Sequence, residues 1–362
     1  MSAGACGGAP SPAPVGLGLI GVGRWGLRLG AAAGRAAGVR VVSCFARDPA
    51  ARAEAAAALG CRPAASAEAL LEHPGVEAVA VATPNHAHEA LTLAAAGHGK
   101  HVFVEKPIAT EVAAARRMAA ACTAAGVTLQ VGHGFRRLGA SRAAARLVAG
   151  GALGRVVLAE ANFSLPGAFA PGNWRASRET LAGGPLMQLG VHHADTLLAW
   201  LGPAVKVSGS LAHLAAGVDI DDVAVALLEH ASGARSVIAC SYVSPASYRL
   251  RLYGTEANLE LRTAMALWPH AERMDAGTTL SLERRGGVEA VPFEPQDMLV
   301  DELEAFARSV RSGAQPETGA AEGIAALEVV LGAVASSQQG GRALPLTGSA
   351  PAQATRADAG PV

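Results

Sequence analysis

The residue of this chain best suited to chemistry is a lysine that directly follows an apolar segment. The run Val102–Val104 ends in Glu105-Lys106-Pro107, about eighty residues after the glycine turn Gly21-Val-Gly23-Arg-Trp-Gly26. Open α/β sheets bind ligands beyond the carboxyl ends of their strands, so a lysine at such an end can reach a substrate. We therefore predict that Lys106 lies beside the substrate and takes part in catalysis.

A histidine further along the chain can supply a base. His192 lies in a predicted helix, Pro185–Leu201, three residues before Asp195, so the two side chains share a helix face. Removing a hydride from a carbinol carbon requires a base for the hydroxyl proton, and an imidazole suits that role. Lys106 would hydrogen-bond the same oxygen. We predict His192 as the second catalytic residue and Asp195 as a substrate-binding residue.

The glycine turn predicts a dinucleotide site. The spacing occurs in two registers, beginning at Gly16 or at Gly21, but only the second has a strand before it and a helix after it. In that register Gly21 permits a tight turn, Gly23 lets the backbone approach a pyrophosphate, and Gly26 lets helix and strand pack closely. The free N–H groups of the helix would bind phosphate. The predicted cofactor-binding residues here are Gly21, Gly23, Arg24, Trp25 and Gly26.

The end of the second strand bears on the choice of cofactor. An acidic residue about 20 positions beyond the turn would bind the ribose 2′-hydroxyl of NAD. Strand Val39–Phe45 is followed instead by Ala46 and Arg47, which leave room for a 2′-phosphate and can pair with it. Asp48 lies two residues too far along and precedes Pro49, where a turn is expected. We predict NADP in preference to NAD, with Arg47 in the site.

Two patterns of elements indicate two domains. Up to about residue 135, apolar strands alternate with helices, which is typical of a parallel sheet covered on both faces. From about Arg136, strands follow one another with few helices between them, which favours an antiparallel or mixed sheet. The predicted fold class is therefore α/β, with a Rossmann dinucleotide-binding domain at 15–135 and an α+β substrate and oligomerisation domain at 136–346. Residues 1–14 and 347–362 are predicted to be flexible tails.

The strands predicted for the first domain are Val15–Ile20, Val39–Phe45, Val76–Ala82, Lys100–Val104 and Val127–Gly132. Those predicted for the second are Arg155–Phe163, Val205–His213, Val223–His230, Ser236–Ser244, Tyr248–Tyr253, Asn258–Arg262 and Thr279–Arg284. Besides Pro185–Leu201, the second half has two helix-compatible stretches, Asp297–Arg311 and Ala320–Ser336.

Composition excludes several classes of protein. Hydrophobic residues make up 51% and charged residues 17%, which indicates a globular chain, and 30 basic side chains balance 30 acidic ones. We therefore expect neither nucleic acid nor a membrane as a partner.

Five scattered cysteines favour a cytoplasmic location without a disulfide framework, and no apolar run is expected to reach transmembrane length. Neither His86–His88 nor His192–Asp195 offers enough ligands for a metal, so none is predicted.

At this point the chain resembles the Gfo/Idh/MocA family of sugar and cyclitol oxidoreductases, from about Val15 to Leu346. The resemblance rests on ordered features: Gly21–Gly26, Thr83-Pro84-Asn85 with His88, Glu105-Lys106-Pro107, Asn173-Trp174-Arg175, Gly183-Gly184, Gly190–Asp195, Glu302, Phe306 and Ala325–Glu328. It implies a cofactor cleft between two domains and a large open sheet that often mediates a homodimer or homotetramer. It also implies that Thr83, Asn85, His88 and Glu105 lie on the cofactor side, and that Lys106-Pro107 is a cis bond.

The resemblance leaves the detailed reaction open. The family pattern usually has an aspartate where this chain has Gln188, four residues before His192. The substrate-binding residues we predict are Gln188, Trp174 and Arg175 together with Asp195, although Trp174 and Arg175 could equally serve packing. The expected reaction is hydride transfer to or from a sugar, cyclitol or nucleotide sugar. The alternatives are a reaction without net redox, in which bound NAD(P) oxidises the substrate transiently, and a catalytically silent regulator.

Overall fold

The structure is a computed structural model that describes residues 13–167, 169 and 173–346. The predicted tails at 1–14 and 347–362 therefore fall outside the described residues, apart from Ala13 and Pro14. Within the described part, the chain forms two sheets that divide between residues 132 and 156.

The first sheet has six strands that pair in parallel. They are β1 (Val15–Ile20), β2 (Val39–Phe45), β3 (Arg62–Pro63), β4 (Ala78–Val81), β5 (His101–Glu105) and β6 (Leu129–Gly132). The helices between them are α1 (Arg24–Ala33), α2 (Pro49–Leu59), α3 (Ala67–Leu71), α4 (His88–Gly97) and α5 (Val112–Ala124). The strand order β3-β2-β1-β4-β5-β6 is that of a Rossmann domain, which confirms the predicted fold class.

The middle of this sheet is buried on both faces. All residues of β1 and β4 are buried, as near-continuous apolar strands of a parallel sheet should be. Gly16 and Gly18 are strand residues of β1, and a Cβ at Gly16 would lie 1.9 Å from the carbonyl oxygen of Gly75. These two glycines therefore serve close packing, and the glycine turn starts at Gly21 as predicted.

The second sheet has nine strands. They are β7 (Val156–Ser164), β8 (Ala204–Ala212), β9 (Val223–His230), β10 (Arg235–Ser241), β11 (Ser247–Gly254), β12 (Asn258–Thr263), β13 (Thr278–Arg284), β14 (Gly287–Ala290) and β15 (Leu344–Pro345). In the order β14-β13-β12-β11-β7-β10-β9-β8-β15, only the described pair β7–β10 is parallel. The mainly antiparallel sheet is confirmed, because all seven strands predicted there match observed ones. The prediction missed the helix α6 (Gly139–Ala149).

One helix that carries predicted site residues is irregular. Leu186–Gly190 forms a π-helical turn, and the regular helix α7 begins only at Val191 and ends at Leu201. The predicted helix over Pro185–Leu201 is therefore present, with a π-helical segment instead of regular α turns near its start. Such π segments often occur at functional sites.

The two C-terminal helices tie the sheets together. Helix α8 (Met298–Ser312) packs on the first sheet, where Phe306 meets Phe103 edge to face at 5.8 Å. Helix α9 (Ala320–Gln338) packs on β8, and its Ser336 Oγ accepts a hydrogen bond from the Gly209 amide. Contrary to expectation, α9 is long and apolar enough to cross a membrane by length and composition. Its packing is that of a core helix, so this is weak evidence for a membrane.

Candidate active site

The glycine turn connects β1 to α1 and leaves its backbone open. Gly21 has φ of +98°, and a Cβ on Gly26 would lie 1.9 Å from the Gly21 carbonyl oxygen, so both positions require glycine. A Cβ on Gly23, in contrast, would meet no described atom within 4 Å. Because Gly23 precedes α1 and no side chain caps the helix there, the first N–H groups of α1 face open space beside the turn. This cradle fits a pyrophosphate.

The carboxyl end of β4 offers further polar groups at the same edge. Thr83 Oγ1 and Asn85 Nδ2 are buried without a hydrogen-bond partner among the described residues. Buried polar groups are rarely left unpaired, so these two fit contacts with a bound molecule.

His88 lies behind this edge and not on its surface. It is fully buried, and its two ring nitrogens lie 3.0 Å from the Pro107 carbonyl oxygen and 3.1 Å from that of Thr83. Burial lowers the pKa of His88. Without accessible surface, the His88 side chain holds the two loops in place from behind, and its predicted contact with the cofactor stays a prediction.

Glu105, the last residue of β5, is hydrogen-bonded to Trp25 of the glycine turn. Trp25 Nε1 donates a hydrogen bond of 2.5 Å to Glu105 Oε1, and Trp25 stacks on Trp268 of the second domain at 5.5 Å. Glu105 is 6% exposed, and burial raises its pKa to about 7, opposed by the charge of Lys106. The Glu105 carboxylate thus lies under the cofactor cleft beside a tryptophan pair that spans both domains.

Lys106 follows β5 directly and points toward the second domain. The Lys106–Pro107 peptide bond is cis, as the family resemblance implies. The ammonium donates a hydrogen bond of 3.1 Å to the main-chain carbonyl of Gln188. Burial lowers the pKa of Lys106 to about 8, the charge of Glu105 opposes this shift, and that of Arg175 adds to it. A lysine with a pKa near neutrality can exchange protons at ordinary pH.

His192 is buried among aromatic rings on the side of Lys106. Its ring lies 4.6 Å from that of Phe135 and 5.8 Å from that of Phe163, centroid to centroid. Neither ring nitrogen has a hydrogen-bond partner among the described residues. Burial, followed by the charge of Lys106, lowers the pKa of His192 well below its ordinary value. The ring is therefore neutral at pH 7 and free to accept a hydrogen bond.

Asp195 does not reach the cleft. It is 1% exposed, and Arg136 holds both of its carboxylate oxygens, at 2.5 Å from Nε and 2.5 Å from Nη2. A carboxylate engaged in this bidentate way positions its neighbours. The structure thus gives Asp195 a protein partner, its place near His192 on α7 is as expected, and its contact with substrate stays a prediction.

Gln188 acts through its backbone. Its side chain is 7% exposed, and its Nε2 has no hydrogen-bond partner among the described residues. Since both His192 nitrogens are also unpartnered, no hydrogen bond joins the two side chains in the described structure. The π-helical turn places Gln188, and its carbonyl oxygen receives Lys106.

The loop before the π-helical turn brings a second cation to the cleft. The Arg175 guanidinium lies 4.2 Å from the centre of the Trp174 ring. Its charge lowers the pKa of Lys106, which places the two cations in one electrostatic environment. Burial also lowers the pKa of Arg175 itself.

The end of β2 carries Arg47 and Asp48. Asp48 caps α2, because its side chain accepts a hydrogen bond of 2.9 Å from the Ala50 amide. Arg47 is exposed. A second cation, Arg52, lies over the Phe45 ring at 5.9 Å and donates to the Ala46 carbonyl, which the sequence reasoning did not anticipate.

Other residues of the site were also missed. His133 and Arg136 follow β6, and the pairing of Glu105 with Gly132 places that loop beside Lys106. The same rule that selected Lys106, a polar residue just past a parallel strand, could have found His133. Trp268 gave no such signal, and the buried Glu302 was noted only as a feature of the family resemblance. Burial raises the pKa of Glu302 well above its ordinary value.

Comparison with known proteins identifies the family. Residues 15–133 match the oxidoreductase family with an NAD-binding Rossmann fold, and residues 141–260 match the GFO/IDH/MocA C-terminal domain. A 1,5-anhydro-D-fructose reductase of Ensifer adhaerens is 30% identical over 282 residues, which cover 76% of this chain and 81% of that protein. A D-xylose 1-dehydrogenase (NADP(+)) of Haloferax volcanii is 29% identical over 90% of this chain and 98% of its own.

Solved structures share the whole architecture. A protein from Desulfitobacterium hafniense DCB-2, proposed to be an NADPH-dependent oxidoreductase, is 33% identical, with a TM-score of 0.89 over 92% of this chain and 98% of its own. Levoglucosan dehydrogenase in complex with NADH and levoglucosan has the same fold, with a TM-score of 0.83 at 20% identity over 92% of this chain and 100% of its own. The chain therefore belongs to the Gfo/Idh/MocA family and is an NAD(P)-dependent oxidoreductase.

Proposed function

We propose that the protein transfers a hydride between NADP and a secondary alcohol or ketone of a sugar, cyclitol or nucleotide sugar, with Lys106 and His192 as the catalytic residues. The observation that carries this proposal is the position of the Lys106 ammonium. It lies between the glycine-turn domain and the π-helical turn of the second domain, where it donates to Gln188. The reductase and dehydrogenase names of the relatives support a sugar substrate.

The chain holds the cofactor through groups at one edge of the first sheet. The open backbone at Gly23 and the first N–H groups of α1 would bind the pyrophosphate. Thr83, Asn85 and Glu105 would face the nicotinamide half, and Arg47 the 2′-phosphate. When bound, the cofactor supplies the hydride acceptor or donor.

Lys106 and His192 handle the hydroxyl proton. Neutral His192 takes up the proton as the carbonyl forms and returns it in the reverse reaction. Lys106, with a pKa of about 8, is mostly charged near pH 7 and would hydrogen-bond the same oxygen. In its charged form it stabilises negative charge on the reacting oxygen. Arg175 and Trp174 would line the substrate side.

The proposal is tested with a panel of aldoses, polyols, cyclitols and nucleotide sugars. Each compound is incubated with NADP⁺ or NAD⁺, and the absorbance of the reduced nicotinamide is followed. Steady, substrate-dependent reduction of the cofactor is expected for at least one class of compound. Product formation without net reduction would instead favour transient oxidation, and cofactor binding without any product would favour a regulator.

The protein also has an open face suited to self-association. Val225 and Leu227 of β9 lie on the same face of the second sheet as the charged side chains of Arg249, Arg251 and Glu260. This follows from the pairing of β9 with β10, of β10 with β7, of β7 with β11 and of β11 with β12. Val225 is 39% exposed and Leu227 43%, although both are large apolar side chains in regular strands. We propose that this face, which no described helix covers at these positions, forms the interface of a homodimer or homotetramer.

Cysteine chemistry bears on the compartment. The four described cysteines are free thiols, and burial raises the pKa of Cys61 to about 12. Thiols that persist unpaired suit a reducing environment, so we propose that the protein works in the cytoplasm.

A further inference from the structure

Two loops bring a second histidine against the catalytic one. His133 lies between β6 and a short turn, Gly134–Arg137, that contains Arg136. On the facing helix α7, His192 and Asp195 are likewise three residues apart. The two pairs meet: the rings of His133 and His192 are 6.5 Å apart and perpendicular, and Arg136 holds Asp195. Each histidine therefore faces a partner on the other element.

His133 is buried, and no described residue forms a hydrogen bond with its ring. It is 1% exposed, and neither of its ring nitrogens has a hydrogen-bond partner among the described residues. Its Nε2 lies 3.9 Å from Asp195 Oδ1, close enough for an ion pair but beyond a hydrogen bond. Two unpaired imidazole nitrogens in a closed interior indicate a role that the resting structure does not display.

The surrounding charges favour a proton on His133 over one on His192. The groups that face His133 are Asp195 and His192 from α7, Arg136 from its own loop and Lys106 from the end of β5. Asp195 raises the pKa of His133, whereas Arg136 and Lys106 lower it, and burial lowers it most, to about 4. For His192 every cause lowers the pKa, including the charges of Lys106 and His133. Of the two rings, only His133 has a carboxylate to stabilise its imidazolium.

We propose that His133, backed by Asp195 and Arg136, is a proton relay that accepts the substrate proton from His192. This inference rests on the proposed oxidoreductase function and adds His133 as the group that receives the proton from His192. In alcohol oxidation, the hydroxyl O–H bond breaks as the hydride leaves carbon for the cofactor, and the proton passes to His192. His192 gives its proton to His133, whose imidazolium pairs with Asp195. The proton leaves to solvent when the product departs and the cleft opens, so atoms and charge balance.

His133 acts through His192 and does not touch the reacting atoms, so it is a positioning residue and not a catalytic one. Gln188, the residue one turn before His192, cannot take this part because an amide does not accept a proton near neutral pH. The relay also gives a reason for the tight Arg136–Asp195 pair. By donating to both oxygens, Arg136 fixes the orientation of the carboxylate, whose Oδ1 lies 3.9 Å from His133 Nε2.

The first arm of the test is independent of any substrate. The full-length protein with NADP⁺ bound is labelled with ¹⁵N-histidine, and the His133 and His192 signals are assigned from His133→Gln and His192→Gln. As pH falls, His133 should become an imidazolium before His192, and Asp195→Asn should lower the pKa of His133. The relay is refuted if His192 is protonated first, or if Asp195→Asn leaves the His133 titration where it was.

The second arm uses the best substrate from the panel. His133→Gln should lower kcat by about 10- to 100-fold, as for loss of a proton-transfer group, and raise the solvent deuterium isotope effect on kcat. The Michaelis constant should change by less than about twofold, since no binding contact is lost. His193→Gln is the matched control: His193 is also fully buried with both nitrogens unpartnered, but it stacks on Tyr248 and lies outside the path to Asp195. It should retain the wild-type isotope effect.

Wild-type kcat and isotope effect in a folded His133→Gln would overturn the relay. An equal rise of the isotope effect in His193→Gln would do the same, because it would reflect packing alone. If His133→Gln does not fold, His133→Asn and Asp195→Asn carry the same readouts. A panel without any turnover would refute the proposed function instead, and the titration arm would still decide whether His133 is the site that takes the proton.

Discussion

Lys106 Nζ lies 3.1 Å from the main-chain carbonyl oxygen of Gln188, so residue 188 holds the lysine by its backbone and not by its side chain. The contact joins the end of a Rossmann strand to a π-helical turn of the second domain. It explains how the cleft can keep its lysine in place although an amide stands at a position where a carboxylate is usual. It also makes the position of Lys106 sensitive to the register of the helix that carries His192.

Lys106 and His192 should both be needed for turnover. Lys106→Met or His192→Ala should lower kcat by at least about 10²-fold, the usual share of acid–base catalysis, with little change in cofactor affinity. Steady-state kinetics with the best panel substrate and cofactor titration by fluorescence measure the two effects. Near-wild-type turnover in His192→Ala would remove the histidine from the mechanism.

Alcohol oxidation should depend on the ionisation of Lys106. Because only the charged amine donates to and stabilises the reacting oxygen, kcat/KM should fall as pH rises through an apparent pKa near 8. Lys106→Arg should abolish this limb, since a guanidinium does not deprotonate. Lys206→Arg, a change at an exposed lysine of β8, serves as control and should keep it. A limb that survives in Lys106→Arg belongs to another group.

Gln188→Asp should move the same titration upward. A carboxylate one turn from His192 and next to the Lys106 contact would favour the charged form of either neighbour, by about one pKa unit. The measurement is the pH profile of kcat/KM, compared with that of Gln188→Asn. An unchanged profile in a folded Gln188→Asp variant would show that the side chain does not couple to proton transfer.

Cofactor choice should depend on Arg47. Arg47→Ala should weaken NADPH binding by about tenfold or more, the value of one charge-assisted hydrogen bond, and leave NADH binding within about twofold. Arg40→Ala, an exposed arginine at the other end of β2, should change neither. Dissociation constants from nicotinamide fluorescence decide the matter. If wild-type protein binds NADH more than about tenfold tighter than NADPH, the NADP assignment is wrong.

Acid should destabilise the fold at pH values above the range in which ordinary carboxylates are protonated. Burial lowers the pKa of His133 and of His193 to about 4, from an ordinary value of 6.5. The unfolded chain therefore binds more protons between these values, so stability is present above about pH 6.5 and is lost as pH falls toward about 4. Urea midpoints across this range measure the loss, which should be smaller in His193→Gln. A midpoint that stays constant over the range would contradict neutral burial of these rings.

Self-association should depend on the open face of the second sheet. Leu227→Arg combined with Val225→Arg should dissociate the oligomer, because charge replaces buried apolar contacts there. Leu214→Arg is the control, since Leu214 is 70% exposed in the loop after β8. Sedimentation velocity gives the masses. A monomeric wild-type protein, or an oligomer that survives the double change, would exclude this interface.

The sequence by itself determined the fold class, the strand positions and the residues at the strand ends, because these depend on local patterns. Apolar alternation located β7 to β13, and the register of the glycine turn followed from the strand before Gly21. Lys106 could be selected since parallel strands bring their carboxyl ends to one edge. The sequence predicted a turn at Asp48-Pro49, where the structure has Asp48 as the N-cap of α2.

Only the tertiary structure decided what each polar side chain contacts. Whether Asp195 faces substrate or Arg136 depends on a loop 59 residues earlier, and helix periodicity carries no information about it. The π-helical turn at Leu186–Gly190, which presents the Gln188 carbonyl to Lys106, was likewise not predicted from the periodicity of the sequence. Burial, which sets the pKa of Lys106, Glu105 and the histidines, is a property of the assembled core and cannot be read from residue types alone.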